Sequence, residues 1–113
     1  MDAFSRLAAE QFEVRMYKYL AKTFPDNVKG LPEQAIRESI QAGVERAAAY
    51  GISSEYDVAR FVDLMYRVSS DFDSHPEIPW VRATLMSSVM TTRAKMDVVY
   101  GKLTEDRSAG SPE

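Results

Sequence analysis

The sequence predicts an all-α fold, a four-helix bundle or an orthogonal four-helix packing, with a long C-terminal helix and a disordered tail. Three observations carry this. Apolar residues recur at three- and four-residue steps through most of the chain, the periodicity of amphipathic helices. Proline falls between the periodic segments or at their first residue rather than inside them, and Gly51 closes one of them. No alternating strand pattern competes. A chain of 113 residues is one domain by size. The reading divides it into a helical domain over 1–103 and a tail over 104–113.

Helix one is expected over about residues 3–24. Phe4, Ala8, Phe12, Met16, Tyr19 and Leu20 form its stripe. Pro25 stops it, because a residue before proline is disfavoured in the helical region. Helix two starts near Pro32, a residue suited to a first helical position. Ile36, Ile40, Val44 and Ala47 are its buried side, and Gly43 with Ala47-Ala48-Ala49 lets a neighbour approach closely. Gly51 fits the left-handed position just past a helix end. Helix three opens at Ser54, whose hydroxyl can cap a free amide, with Asp57 three residues on. Its inner face is Val58, Phe61, Val62, Met65 and Val68, and Ser69-Ser70 weakens it. A loop over 71–79 is stiffened by Pro76 and Pro79. Helix four is expected as one piece from Pro79 or Trp80 to Leu103, about 36 Å long at 1.5 Å per residue. Val81, Leu85, Ser88, Thr92, Met96, Val99 and Leu103 share one side of it. Short connections favour antiparallel neighbours.

Composition narrows the function classes. Hydrophobic residues make up 45% and charged residues 27%, too apolar for a disordered chain. The net charge of −3 is not the footprint of a nucleic-acid binder. There are no cysteines, so disulfide, thiol and cysteine-zinc chemistry are excluded. Met1-Asp2-Ala3-Phe4-Ser5-Arg6 lacks the basic and apolar regions of a signal peptide. No apolar run approaches the ~20 residues of a membrane span. The expected location is the cytoplasm, with no membrane partner. Charge is uneven along the chain. Residues 53–78 carry six acids against Arg60 and Arg67, whereas 79–103 carry Arg82, Arg93, Lys95 and Lys102 against Asp97. The simplest use of that asymmetry is pairing within the molecule.

Asp71, Asp73 and His75 are the one grouping that resembles metal chemistry. A calcium loop beginning at Asp71 would need glycine at its sixth position and glutamate at its twelfth; Pro76 and Arg82 stand there. The plainer reading is that the two aspartates satisfy loop amides ahead of helix four, favoured by its dipole. No metal or cofactor is assigned. Glu10, Glu13, Glu38 and Glu45 do not converge and read as a solvated surface. No nucleophile elbow or phosphate loop is present, so no catalytic residue is assigned and the expectation is a non-enzyme.

The remaining candidates are for partner binding. Trp80 is either a core anchor or an interface aromatic. Met86 and Met90 fall about 100–180° from Val81, Leu85 and Val99 on a helical wheel. Either helix four is sandwiched, or this second face, continued by Arg93, meets a partner through adaptable methionines. Trp80, Met86, Met90 and Arg93 are therefore the proposed partner-binding residues.

An ordered series of short motifs runs through the chain: Gln11-Phe12, Phe24-Pro25, Arg46-Ala47, Tyr50-Gly51-Ile52, Asp57-Val58-Ala59-Arg60-Phe61-Val62-Asp63-Leu64-Met65, Asp71-Phe72-Asp73 and Pro79-Trp80. In this order they resemble small helical accessory proteins encoded beside type VI secretion effectors, PAAR tip proteins and their chaperones. The likeness covers about residues 11–85 of the 113. It implies a co-chaperone or adaptor that holds an effector, or the effector's chaperone, before loading on the secretion spike. It carries no catalytic residues. Two other readings stand beside it. One is an immunity protein using the acidic loop Asp71–Glu77 against a toxin; the other is a metal-dependent enzyme using Asp71, Asp73 and His75. A homo-oligomer is compatible with the sequence.

Overall fold

The computed structural model describes the backbone of residues 2–109 and the side chains of residues 10–105. The described residues form helices and no strands: α1 (Asp2–Thr23), α2 (Pro25–Val28), α3 (Glu33–Ala49), α4 (Glu55–Arg67), α5 (Pro79–Leu85) and α6 (Thr92–Ala109). No helix among the described residues is long and apolar enough to cross a membrane.

Local chemistry sets most boundaries. Phe24 interrupts the first helix and Pro25 opens the short α2. Pro32 is the N-cap of α3 rather than its first residue, with an extended ψ of 151°. At the other end Gly51 has a φ of +84°. Its amide donates to the Ala48 carbonyl, and the Ile52 amide donates back to Ala47, each at 2.9 Å. This is the two-bond Schellman stop, and buried Ile52 and Ala47 supply its apolar contact. Ser54 caps α4 by accepting from the Asp57 amide at 3.2 Å.

The core lies around α4. It combines Met16 and Leu20 of α1, Ile36, Ile40 and Ala47 of α3, Phe61, Val62 and Leu64 of α4, and Met96, Val99 and Leu103 of α6. Gly43 lets α3 and α4 close up: a Cβ there would lie 2.7 Å from Met65 Sδ and 2.9 Å from Val62 Cγ2. The side chain of Phe72, in the loop after α4, is fully buried and meets Phe61 edge-on at 4.9 Å between ring centroids.

The order of side-chain partners gives the helix directions. Ser39, early in α3, pairs with Tyr66, late in α4, so α3 runs against α4. It therefore runs against α1 as well, which shares the sense of α4 and meets α3 where Glu13 pairs with Arg37 and Gln41. Asp57 pairs with Arg93 and Arg60 with Asp97, so α4 and α6 run in the same sense. Arg15 pairs with Glu55 and Tyr19 with Asp63, so α1 shares that sense too. The expectation of antiparallel neighbours therefore holds for α3 against α1 and α4. It holds also for α5 against α6, where Trp80 at the start of α5 meets Lys102 late in α6, but not for α6 on α4. The loop, α5 and the following linker bring the chain back before α6 starts.

The single helix expected from Pro79 to Leu103 is two helices, α5 and α6, separated by Met86–Thr91. Val81, Leu85, Met96, Val99 and Leu103 are all buried, as the shared stripe predicts. Its two polar members, Ser88 and Thr92, mark the break: Ser88 is exposed and Thr92 half-buried. Serine and threonine here satisfy the backbone locally instead of continuing the helix. Ser87 Oγ accepts from the Val89 amide at 3.2 Å. Thr91 Oγ1 accepts from Ala94 at 3.1 Å, capping α6. At its far end the backbone stays helical to Ala109, so that residues 104–109 of the expected tail continue the helix. Residues 110–113 of that tail lie outside the described residues.

Proline inside a helix costs about 3 kcal/mol or more. Ser88→Pro is expected to cost well under that, measured as a shift in the urea midpoint, because the break is already present. A loss as large as an interior proline gives would mean that residues 79–103 are one helix.

Candidate functional site

Asp57 is the most connected polar group. It sits in the first turn of α4, 2% exposed. Ser54 donates its hydroxyl to Oδ2 at 2.9 Å, and Arg60 reaches Oδ1 at 2.7 Å. The Arg93 Nε from α6 lies 3.0 Å from both oxygens. Arg60 also donates to Asp97 at 2.9 Å. Burial pushes the Asp57 carboxyl up, but the hydrogen bonds from Arg60, Arg93 and Ser54 outweigh it and hold it below the ordinary carboxylate value. The guanidinium of Arg60 lies 4.4 Å from the Tyr56 ring centroid and 5.5 Å from that of Tyr100. Its Nε is the one buried side-chain polar atom among the described residues with no hydrogen-bond partner. Stacking against these rings is the attraction available to it.

A second buried carboxylate, Asp63, lies two turns along α4. Arg67 donates to it through Nε at 2.8 Å and Nη2 at 3.1 Å. The Tyr19 hydroxyl of α1 donates at 2.5 Å. Burial and this bond push the Tyr19 phenol up from 10.0 to about 12.

Between these two carboxylates a groove of about 580 Å³ opens where α1 and α6 flank α4. Phe12, Met16 and Tyr19 form its α1 side, Tyr100 its α6 side, and Ala59 with Tyr56 its α4 side. Arg15 and Glu55, both more than half exposed, join across its edge at 2.5 Å. A surface pair of this kind contributes little stability.

The sequence-predicted partner residues do not lie on one continuous helix. Met86 is the C-cap of α5 and is 60% exposed. Met90 is half-buried in the linker. Arg93 turns toward α4 to hold Asp57. The wheel that aligned the three assumed an unbroken helix, and the break removes that alignment. Trp80 lies between its two readings: it is half-buried against the core, with Lys102 Nζ 5.6 Å from its ring centroid.

The acidic loop is also rearranged. Asp73 is buried and accepts from Arg46 and, at 2.9 Å, from the Tyr50 hydroxyl, tying the loop to α3. Asp71 accepts from Ser69 Oγ at 2.6 Å, which holds it below its ordinary value. His75 Nδ1 accepts from the Glu77 amide at 3.1 Å. The aspartates thus take side-chain partners instead of loop amides. The described residues contain no group of three His, Cys, Asp or Glu able to hold a metal ion. Glu13 corrects the reading of a solvated carboxylate set. It is 6% exposed and accepts from Arg37 at 2.7 Å and Gln41 at 2.5 Å. Its place beside the Phe12 stripe was the available signal.

No protein-family model, no curated protein and no solved structure matches this chain.

Asp57→Ala is expected to destabilise the protein by about 3 kcal/mol, the scale of a broken buried ion pair. Because its folded pKa is depressed, the Asp57 contribution is fully present above the unfolded value of about 3.9 and is lost as pH falls through the folded value. Urea unfolding at neutral pH and at pH values below about 4 should show the gap between wild type and variant narrowing with acid. Tyr19 has the opposite arrangement. Its raised pKa gives stability that is present below its ordinary pKa and lost as pH climbs toward about 12. Phenolate absorbance should show a late-titrating tyrosine that Tyr19→Phe removes; an unchanged titration curve would mean that the Asp63 bond does not form.

Proposed function

We propose that this chain is a non-enzymatic protein-binding accessory factor, a cytoplasmic co-chaperone or adaptor that helps load a type VI secretion effector. The observation that carries the reading is the linker between α5 and α6. It puts Met86 at 60% and Val89 at 91% exposure, the two highest values among the large apolar residues described. Flexible methionine beside a β-branched residue, in a segment without helical constraint, is an adaptable apolar surface. Its binding mode is hydrophobic masking. A partner helix or unfolded segment buries the linker until a stronger partner displaces it. In this reading α1, α3, α4 and α6 act as a rigid four-helix packing with a long last helix, and Trp80, Met86 and Met90 face the effector or its chaperone. Arg93 contributes indirectly, by fixing where α6 begins. The motif series from Gln11 to Trp80 supplies the type VI context.

A tagged copy expressed in its native host is expected to co-purify an effector chaperone or an effector. Met86→Asp with Met90→Asp should hold the melting temperature within about 4 °C, the equivalent of roughly 1 kcal/mol, and abolish that co-purification. Collapse of the melting temperature would make the linker part of the core. Relief of a neighbouring toxin by this chain alone would replace the reading with that of an immunity protein.

A further inference from the structure

Oxidisable sulfur and apolar exposure coincide at one position among the described residues. We infer that Met86 is a site of reversible oxidation, its thioether converted by a peroxide to the sulfoxide, and that this turns the linker from an apolar surface into a polar one. Its use as a release signal for a bound partner rests on the docking role proposed above for the linker.

The chain has no cysteine. No thiol of its own therefore competes for a two-electron oxidant, and methionine is the sulfur that remains. The fold sorts the described methionines by access. Met16, Met65 and Met96 are 4%, 7% and 0% exposed and belong to the core. Met65 Sδ sits against Gly43 at the crossing of α3 and α4, so close that a Cβ on that glycine would fall 2.7 Å from it. An oxygen added to a sulfur packed in this way must displace its neighbours, which destabilises a core.

Met86 is the opposite case. It is the C-cap of α5, and its amide donates to the Arg82 carbonyl at 2.9 Å. The residue is 60% exposed, and the chain that follows gives it no cover, since Ser88 is exposed and Val89 is 91% exposed. Met90, at the far end of the linker, is half-buried. Exposure sets the order in which methionines react, so Met86 leads and Met90 follows.

The reaction needs nothing else from the protein. The sulfur lone pair attacks one peroxide oxygen, and the S–O bond forms as the O–O bond breaks. The proton on the transferred oxygen passes to the leaving one, which departs as water or an alcohol. Sulfur gives up two electrons and the peroxide takes them. The reverse step draws two electrons from an external dithiol, which closes to a disulfide, and the oxygen leaves as water. A chain without cysteine cannot supply those electrons, so repair depends on a separate reductase. The product carries a polar acceptor where an apolar thioether stood. The fold tolerates it because the C-cap bond of Met86 is made by its backbone amide. Against an apolar partner the same oxygen would leave water without a hydrogen bond, which opposes docking.

The test treats the full chain with hydrogen peroxide and follows each methionine by peptide mass mapping. Met86 is expected to gain oxygen at least about tenfold faster than Met16, Met65 or Met96, with Met90 between them. The melting temperature should stay within about 4 °C of its starting value while Met86 alone is oxidised. Retention on a hydrophobic-interaction column should fall, and should recover after treatment with the two epimer-specific sulfoxide reductases. Met86→Leu should remove the early peroxide-dependent shift in retention. Equal rates at exposed and core methionines, a Met86 that resists, or retention unchanged by its oxidation overturns the inference. Unfolding when only Met86 has reacted does so too, because it would make that side chain part of the core. Where the untreated chain co-purifies an effector or its chaperone, the oxidised chain should hold at least about tenfold less of it and regain it after reduction. A partner held equally by the oxidised chain overturns the release signal and leaves the loading reading in place. A chain that captures no partner before oxidation removes the loading reading instead, and the mapping and retention still decide the oxidation site.

Discussion

Asp57 is the constraint on which the arrangement of α4 and α6 depends. A buried carboxylate must be matched by charge and hydrogen bonds, or its desolvation works against folding. Here the match comes from three directions: Ser54 before the helix, Arg60 one turn on, and Arg93 from α6. The position is also a helix N-terminus, where the backbone dipole favours an anion. Satisfying one carboxylate thus sets the register of α6 on α4. It also fixes Arg60 between Tyr56 and Tyr100, and with it the wall of the groove.

Much of the fold was legible because local chemistry and tertiary packing ask for the same residues. Gly51 stops α3 as its conformational freedom predicts, and Ser54 caps α4. The apolar positions read for α3 and α4 are buried or packed against the core. Legibility failed where a pattern persisted through a change of backbone. The stripe from Val81 to Leu103 continues across the linker because both short helices bury their members against the same core. Periodicity alone could not reveal the gap; Ser87 and Thr91 could, since their hydroxyls take the backbone amides of Val89 and Ala94.

The candidate site was less legible, for a different reason. Glu13, Asp57, Asp63 and Asp73 are buried acids whose partners lie 23 to 44 residues away or in a neighbouring turn. A sequence displays the charge of a carboxylate but not the arginine that folding brings to it. The acidic excess of residues 53–78 signalled pairing within the molecule, but not that Asp57, Asp63 and Asp73 point inward. The groove has no sequence signature at all. It exists because α1 and α6 both lie on α4 in the same sense and leave a seam between them.

That shared sense has a consequence for how the chain assembles. Neighbouring helices joined by a tight turn can meet as soon as both have formed. A helix that must lie parallel to an earlier one waits for the intervening chain to travel back along its length. Closing Arg93 onto Asp57 spans 36 residues, a larger entropic loop than the α3–α4 turn requires. The α3–α4 pair, with Gly43 at its crossing and Phe61 at its centre, can nucleate on local contacts. The C-terminal third is then the late arrival, and on a ribosome it emerges after α1, α3 and α4. Until it docks, one flank of α4 is bare. The newborn chain would expose there, for a time, the apolar surface that α6 covers in the finished molecule.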